Sequence, residues 1–293
     1  MQIPRVARDD NEVLCVGELL WDSLPAGLFL GGAPFNVACH LAAAGVRAAM
    51  VSRVGIDRLG EEALRRAALH GVETDLVQVD PMRPTGFVSA NVDAAGNATF
   101  EILESVAWDA IAFNDALAAR ASAAHAVVFG TLAQRATVSR QTIQRLLATP
   151  ALKVLDVNLR PPYDDKNIVQ SSLERADIVK LNAGEMEQLS RWFDLPPRPR
   201  EFAAAVASTF DCRTVVITRG AEGAALWREG EWTEHAGFNV EVRDTVGAGD
   251  AFLAVLLAGI LRGGEAAAML SAANRAGANV AARWGALPPL QHD

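Results

Sequence analysis

Cysteine is scarce in this chain. Cys15, Cys39 and Cys212 lie far apart and form no CxxC pair. An odd, dispersed set of three points away from a disulfide framework and towards buried, reduced thiols in a cytoplasmic protein. An excess of basic charge is also missing: 27 Lys and Arg face 35 Asp and Glu, a formal net charge of −8. Such a balance argues against a nucleic-acid surface or an anionic-membrane surface. Phosphate ligands remain open, because backbone N–H groups and a metal can hold them locally. No long hydrophobic run occurs. The longest wholly apolar or glycine stretch is 251–261, far short of the roughly 20 residues a membrane span needs. The opening MQIPRVARDDNEV has no apolar h-region, so a secretory signal is not expected. There is no internal repeat and no low-complexity linker, and LPPRPR at 195–200 reads as a surface loop. His40, His70, His125, His235 and His292 are scattered without metal-ligand spacing.

What the chain does have is material for a core. Of its 293 residues, 51% are hydrophobic and 21% charged, which excludes wholesale disorder and suits one large α/β domain or two modest ones. Short apolar runs at 13–17, 48–54, 126–130, 154–158, 178–182 and 215–218 alternate with Ala-rich helical stretches, the first of which closes at Gly45 as a C-cap. Near-continuous apolar strands separated by helices predict a mostly parallel sheet covered on both faces. One stretch departs from this rhythm. Extended runs at 87–93 and 98–103 flank Ala94-Ala95-Gly96-Asn97, the pattern of a β-hairpin. A hairpin inserted in such an array is an edge ornament or a lid, and the lid is the better reading.

The chemistry concentrates near the C-terminal end, in Asp244-Thr245-Val246-Gly247-Ala248-Gly249-Asp250 followed by AFLAVLLAGIL. A small-residue turn running into an apolar helix leaves its first N–H groups without intrahelical partners, at the positive end of the helix dipole. Gly247, Ala248 and Gly249 put no bulky side chain in the way, so those amides can face an anion. Asp250, at the rim, can accept the proton of a hydroxyl attacking a phosphoryl group held there. The plain alternative is a helix start whose small residues and Asp serve only as a cap. A dinucleotide fingerprint fits poorly, because the glycine turn comes far from the first strand.

Five segments together resemble the pfkB family of carbohydrate kinases, a ribokinase-like group. They are Gly31-Gly32-Ala33-Pro34-Phe35-Asn36 with Gly45 and Gly55 after it; Asp156-Val157-Asn158-Leu159-Arg160-Pro161-Pro162; Asn182-Ala183-Gly184-Glu185; Thr218-Arg219-Gly220; and the segment from Asp244 to Asp250. They occur in the family's order and spacing over nearly the whole chain. The resemblance implies one ribokinase-like αβα sandwich over 1–293, with a small β lid formed by about 18–31 and 85–108. It also implies roles. Asp250 is the catalytic base, and Gly247, Ala248 and Gly249 form the anion hole, with Arg160 between sugar and phosphate. Asp22, Gly32, Asn36 and Asn158 bind sugar hydroxyls. Asn182, Thr218, Gly220, Gly223 and Asn274 belong to the ATP site, and Glu185 holds Mg²⁺ largely through water. Potassium beside the anion-hole loop, near 244–246 and 280–289, and a homodimer formed through the lid are further implications.

Each of these positions also has a plainer reading. Asp22 fits a turn before Pro25. Asn158 and Arg160 fit the end of a strand before a Pro-Pro pair. Glu185 fits a first-turn helix charge. Trp21 and Trp108 either border the sugar pocket or, the better reading, only pack.

The wording GELLWD, GGAPFNVA and NLRPPY resembles the fructokinase branch, making D-fructose the first acceptor to consider. A kinase for 2-keto-3-deoxygluconate, ribose or a nucleoside keeps the chemistry and changes the acceptor. A non-catalytic sugar- or nucleotide-binding regulator would be expected to lose the base or the anion-hole glycines, and both are present. Phe35 stands where the family usually has a small residue, and either narrows the pocket or packs behind it. Val255 replaces a small residue after the helix start, and is expected to alter packing. The run from Glu101 to Asp109 lacks the Arg-containing pattern of bacterial fructokinase lids.

Overall fold

The computed structural model describes residues 9–24, 27–92 and 98–288. Thirteen strands appear among them: β1 (Asp9–Val16), β2 (Leu20–Leu24), β3 (Gly27–Gly31), β4 (Val46–Gly55), β5 (Val77–Asp80), β6 (Gly86–Val92), β7 (Ala98–Ile102), β8 (Ala126–Gly130), β9 (Leu152–Asp156), β10 (Ile178–Asn182), β11 (Thr214–Thr218), β12 (Ala224–Arg228) and β13 (Glu231–His235). The helices are α1 (Ala33–Ala43), α2 (Arg58–Leu69), α3 (Asp115–Ala123), α4 (Thr137–Leu146), α5 (Lys166–Leu173), α6 (Ala183–Phe193), α7 (Pro199–Phe210), α8 (Ala248–Leu261) and α9 (Ala266–Ala281). None is long and apolar enough to cross a membrane.

Nine strands form one sheet in the order β13-β12-β11-β10-β9-β8-β1-β4-β5. Every pairing from β5 to β11 is parallel, and only the edge pairings β11–β12 and β12–β13 are antiparallel. The apolar runs are continuous because both faces are covered. Leu14 and Val16 of β1 join one core layer, while Val13 and Cys15 join the other. The alternation of side chains along a strand sends neighbours to opposite faces. All three cysteines are buried and unpaired. The sheet grows outward from β1 in both directions, so a crevice opens at the carboxyl ends of β1, β8, β9, β10 and β11. This is the place where open α/β sheets hold ligands.

The second sheet has four strands in the order β3-β2-β6-β7. The expected hairpin is present as antiparallel β6 and β7. Its expected turn, Ala94-Ala95-Gly96-Asn97, lies outside the described residues, as do Pro25, Pro289 and His292. Arg135 ties this sheet's base to the body. Its guanidinium grips Asp109 at 2.8 and 2.9 Å and lies over the Trp108 ring at 4.0 Å.

Two details correct the sequence reading. Residues 195–200 are not all loop, because Pro199 opens α7; proline at the first helical position gives up only an N–H that has no partner anyway. The run expected to extend to Asn158 ends at Asp156, because Asn158 turns to φ 40. Asparagine tolerates that left-handed conformation better than most residues.

Candidate active site

A cavity of about 1770 Å³ opens at the carboxyl ends of the parallel strands, beneath the four-stranded sheet. Of the residues given catalytic, binding or metal roles by the family resemblance, all but Glu185 line it. The N-terminus of α8 forms its floor. Gly247 is the N-cap with φ 79, and a β-carbon there would strike Ala286, 2.5 Å from its Cβ. Only glycine fits both constraints. Asp250 lies in the first turn of α8, buried, and its Oδ2 accepts a 2.8 Å hydrogen bond from Asn36 Nδ2 on α1. The other amide atom of Asn36, Oδ1, is buried without a partner. An orphaned acceptor beside the carboxylate suits a hydroxyl donor from a ligand.

Burial pushes the Asp250 carboxyl up to about 6; the Asp156 charge adds to this, while Lys180, Asn36 and Arg160 oppose it. A carboxylate tuned in this way can take a proton near neutral pH. Asp22 sits on β2 opposite Phe29 of β3, so the turn reading fails. Burial raises its carboxyl to about 6, against the pull of Arg160. Gly32, with φ 113, lets β3 pass close over the chain at Glu18, where a β-carbon would lie 2.3 Å from the Glu18 carbonyl oxygen.

Towards the other end, Thr218, Gly220, Gly223 and Asn274 share the cavity wall with Gly237 and Phe238. The Asn274 amide turns back onto its own helix, donating to the Leu270 carbonyl at 2.7 Å. Asn182 and Glu185 form a reciprocal capping box on α6: Asn182 Oδ1 accepts from the Glu185 N–H at 2.9 Å, and Glu185 Oε2 from the Asn182 N–H at 2.8 Å. Glu185 Oε1 also accepts from the Leu159 N–H at 2.9 Å. Glu185 therefore faces a side cleft of about 290 Å³, shared with Arg160 and Asn182. Among the described residues no cluster of three His, Cys, Asp or Glu could hold a metal. With both of its oxygens already holding backbone N–H groups, the Glu185 carboxylate would reach a Mg²⁺ through water.

Trp21 and Trp108 are fully buried packing residues, not cavity wall. Phe35 is 0% exposed and packs behind the pocket without narrowing it. Two groups of the site escaped the sequence reading. Glu18, after β1, lines the cavity, and burial pushes its carboxyl up to about 7. Lys180 of β10 bonds both oxygens of Asp156 on β9, at 2.9 and 3.0 Å. The available signal was a lone charge within an apolar strand run, which a buried parallel strand tolerates only when paired.

Comparison with known proteins agrees with this geometry. The family model for pfkB family carbohydrate kinases matches residues 26–293. A fructokinase from Escherichia coli is 27% identical over 298 residues, covering 95% of this chain and 96% of the relative. A 2-dehydro-3-deoxygalactonokinase from Haloferax volcanii is 28% identical over 249 residues, covering 79% and 75%. The crystal structure of sugar kinase PH1459 from Pyrococcus horikoshii in complex with ATP overlays with a TM-score of 0.80 at 27% identity, covering 94% of this chain and 93% of that one. With a buried carboxylate beside the small-residue start of α8 and a family match over residues 26–293, the chain belongs to the pfkB family of carbohydrate kinases and is an ATP-dependent sugar kinase.

Proposed function

We propose that this kinase transfers the γ-phosphoryl group of MgATP to a hydroxyl of D-fructose. The observation that carries the acceptor class is the chemistry around the buried Asn36–Asp250 pair. Asn36, Asp22 and Glu18 line the cavity, and a neutral polyol supplies hydroxyl donors for such a wall. An acidic acceptor such as a 2-keto-3-deoxy sugar acid would bring its carboxylate among the carboxyl groups of Glu18, Asp22 and Asp250. The near full-length similarity to a fructokinase supports fructose within the neutral class.

In this reading the sugar lies over Asp22, Gly32, Asn36 and Asn158. Asn36 holds Asp250 in line with the reacting hydroxyl, and Asp250 Oδ takes its proton as the oxygen attacks phosphorus. The N–H groups of Gly247, Ala248 and Gly249 hold the transferring phosphoryl oxygens, and Arg160 balances their charge from the other side. Thr218, Gly220, Gly223, Asn182 and Asn274 line the nucleotide arm. Mg²⁺, when bound, neutralises phosphate charge. Potassium would lie beside residues 244–246. The four-stranded sheet, from about 18–31 and 85–108, acts as a lid that excludes water and pairs with a second copy. Buried, unpaired thiols suit a cytoplasmic setting.

The test is ADP release from MgATP with fructose, ribose, glucose, 2-keto-3-deoxygluconate and adenosine, each with and without potassium. Turnover greatest with fructose is expected. Preference for the sugar acid or adenosine would overturn the acceptor assignment while keeping the kinase.

A further inference from the structure

The charges behind the anion site form a chain of their own. Lys180 sits mid-strand on β10, and in the parallel register it lies beside Asp156 of β9. Both side chains are nearly inaccessible, at 7% and 5% exposure. The ammonium spans both carboxylate oxygens. It also reaches forward: a β-carbon added at Gly249 would lie 2.9 Å from Lys180 Nζ. The ammonium is thus braced against the turn whose amides form the anion site, one residue before Asp250.

A buried ion pair rarely improves stability over an apolar pair of similar shape, because desolvating both charges offsets their attraction. This pair joins two central strands of the sheet and is buried on both sides, which calls for another account. We propose that Lys180 is a positioning residue for phosphoryl transfer: clamped by Asp156, it props the turn at Gly249 from behind and supplies the fixed positive charge that keeps Asp250 ionised.

The groups around Asp250 make this specific. Asp156 from β9 disfavours its ionised form, and Lys180 from β10 favours it. Arg160, after β9, and the Asn36 amide on α1 also favour it. Glu18, after β1, carries a carboxyl that feels the Asp250 charge, and Glu185 on α6 faces the Lys180–Asp156 pair. Burial lowers the Lys180 pKa, yet Asp156, Asp250 and Glu185 together outweigh burial and raise it, so the ammonium stays charged across the working pH range. Removing either partner of the pair therefore shifts Asp250 in opposite directions. Loss of Lys180 leaves Asp156 uncompensated and makes Asp250 harder to ionise. Loss of the Asp156 charge leaves Lys180 free to favour Asp250. A brace with no electrostatic role would shift both the same way, or neither.

This inference rests on reading Asp250 as the base, and the experiment separates the two. Aspartate labelled with ¹³C at the carboxyl carbon gives a titration curve for Asp250 in the full-length protein, identified by its loss in Asp250→Asn. That readout needs no acceptor. The Asp250 midpoint is expected to rise by about one pH unit in Lys180→Met and to fall in Asp156→Asn, the usual size for a close charge. The Lys180→Met/Asp156→Asn double variant, which leaves no unpaired buried charge and so guards against misfolding, is expected to return close to the wild-type midpoint. In all three, turnover falls further than MgATP affinity. Shifts of the same sign in both single variants, or an unmoved midpoint in a variant that still binds MgATP, would overturn the role of Lys180. If instead Asp250→Asn keeps near-normal turnover, it is the base assignment that fails.

Discussion

At the scale of single residues, the base role proposed for Asp250 supplies the sharpest predictions. A general base contributes about 10²–10⁴-fold to rate. Asp250→Asn is therefore expected to lower kcat by that order, while MgATP affinity measured by calorimetry and thermal stability stay close to wild type. As the proposed base, Asp250 must be ionised in the unaltered enzyme. With its carboxyl raised to about 6, kcat/KM should fall on the acid side around pH 6, not around the pH 4 of an ordinary aspartate. Glu18 tests a different consequence of burial. Its folded-state value of about 7 lies above its ordinary 4.5. Between those values the folded state holds more protons than the unfolded state, so this group lowers stability as pH rises through that window. Glu18→Gln removes the penalty. Relative to wild type, its Tm is expected to be higher by about 2–6 °C at pH 8, with the difference shrinking towards pH 4.5. A variant that is less stable at pH 8 would show that the backbone N–H groups of Glu18 itself and of Ala33, with the Arg160 charge, outweigh desolvation.

At the scale of elements, Gly247 shows how a helix start becomes a site. Its φ of 79 and the contact with Ala286 mean that Gly247→Ala must either twist the turn or push the segment at Ala286 away. Turnover is expected to fall at least 10-fold while far-UV circular dichroism is unchanged; near-normal kcat would show that the turn tolerates rearrangement. The existence of the turn was readable from the sequence, and so were most strands: 126–130 and 178–182 coincide with β8 and β10. Apolar runs and glycine punctuation are local signals. What escaped is non-local. The Lys180–Asp156 pair depends on the register between β9 and β10, which fixes which two side chains stand together, and no spacing along the chain encodes it. Glu18 reads in sequence as the residue after a strand-ending glycine. Only the approach of Gly32 and the start of α1 over it bury the carboxyl. Glu185 was legible as both a first-turn charge and a metal holder, and its capping box with Asn182 gives the first reading a definite geometry. Phe35 offered two readings because a large residue next to a binding motif can point either way. The pitch of α1 turns it into the core while Asn36, one position on, faces Asp250.

At the scale of the whole molecule, the two sheets divide the labour: the large one carries the cavity at its carboxyl end, and the small one presents a face of its own. β3 is an edge strand of the four-stranded sheet, and Leu28 and Phe29 on it are 40% and 36% exposed. An uncovered edge carrying large apolar side chains invites pairing with another chain. A second copy of the same chain related by a two-fold axis would satisfy both edges at once. Light scattering coupled to size exclusion is expected to give twice the protomer mass. Leu28→Glu, which puts like charges face to face across such an axis, is expected to give the protomer mass. Because Leu28 lies outside the cavity wall while its neighbour Phe29 lines it, a monomeric Leu28→Glu enzyme should lose affinity for the acceptor more than for MgATP. The lid would then close over the sugar without a partner to steady it, raising the acceptor KM several-fold with kcat little changed. A Leu28→Glu protein that still elutes as a dimer would move the interface elsewhere on the surface and leave the lid edge to serve closure alone.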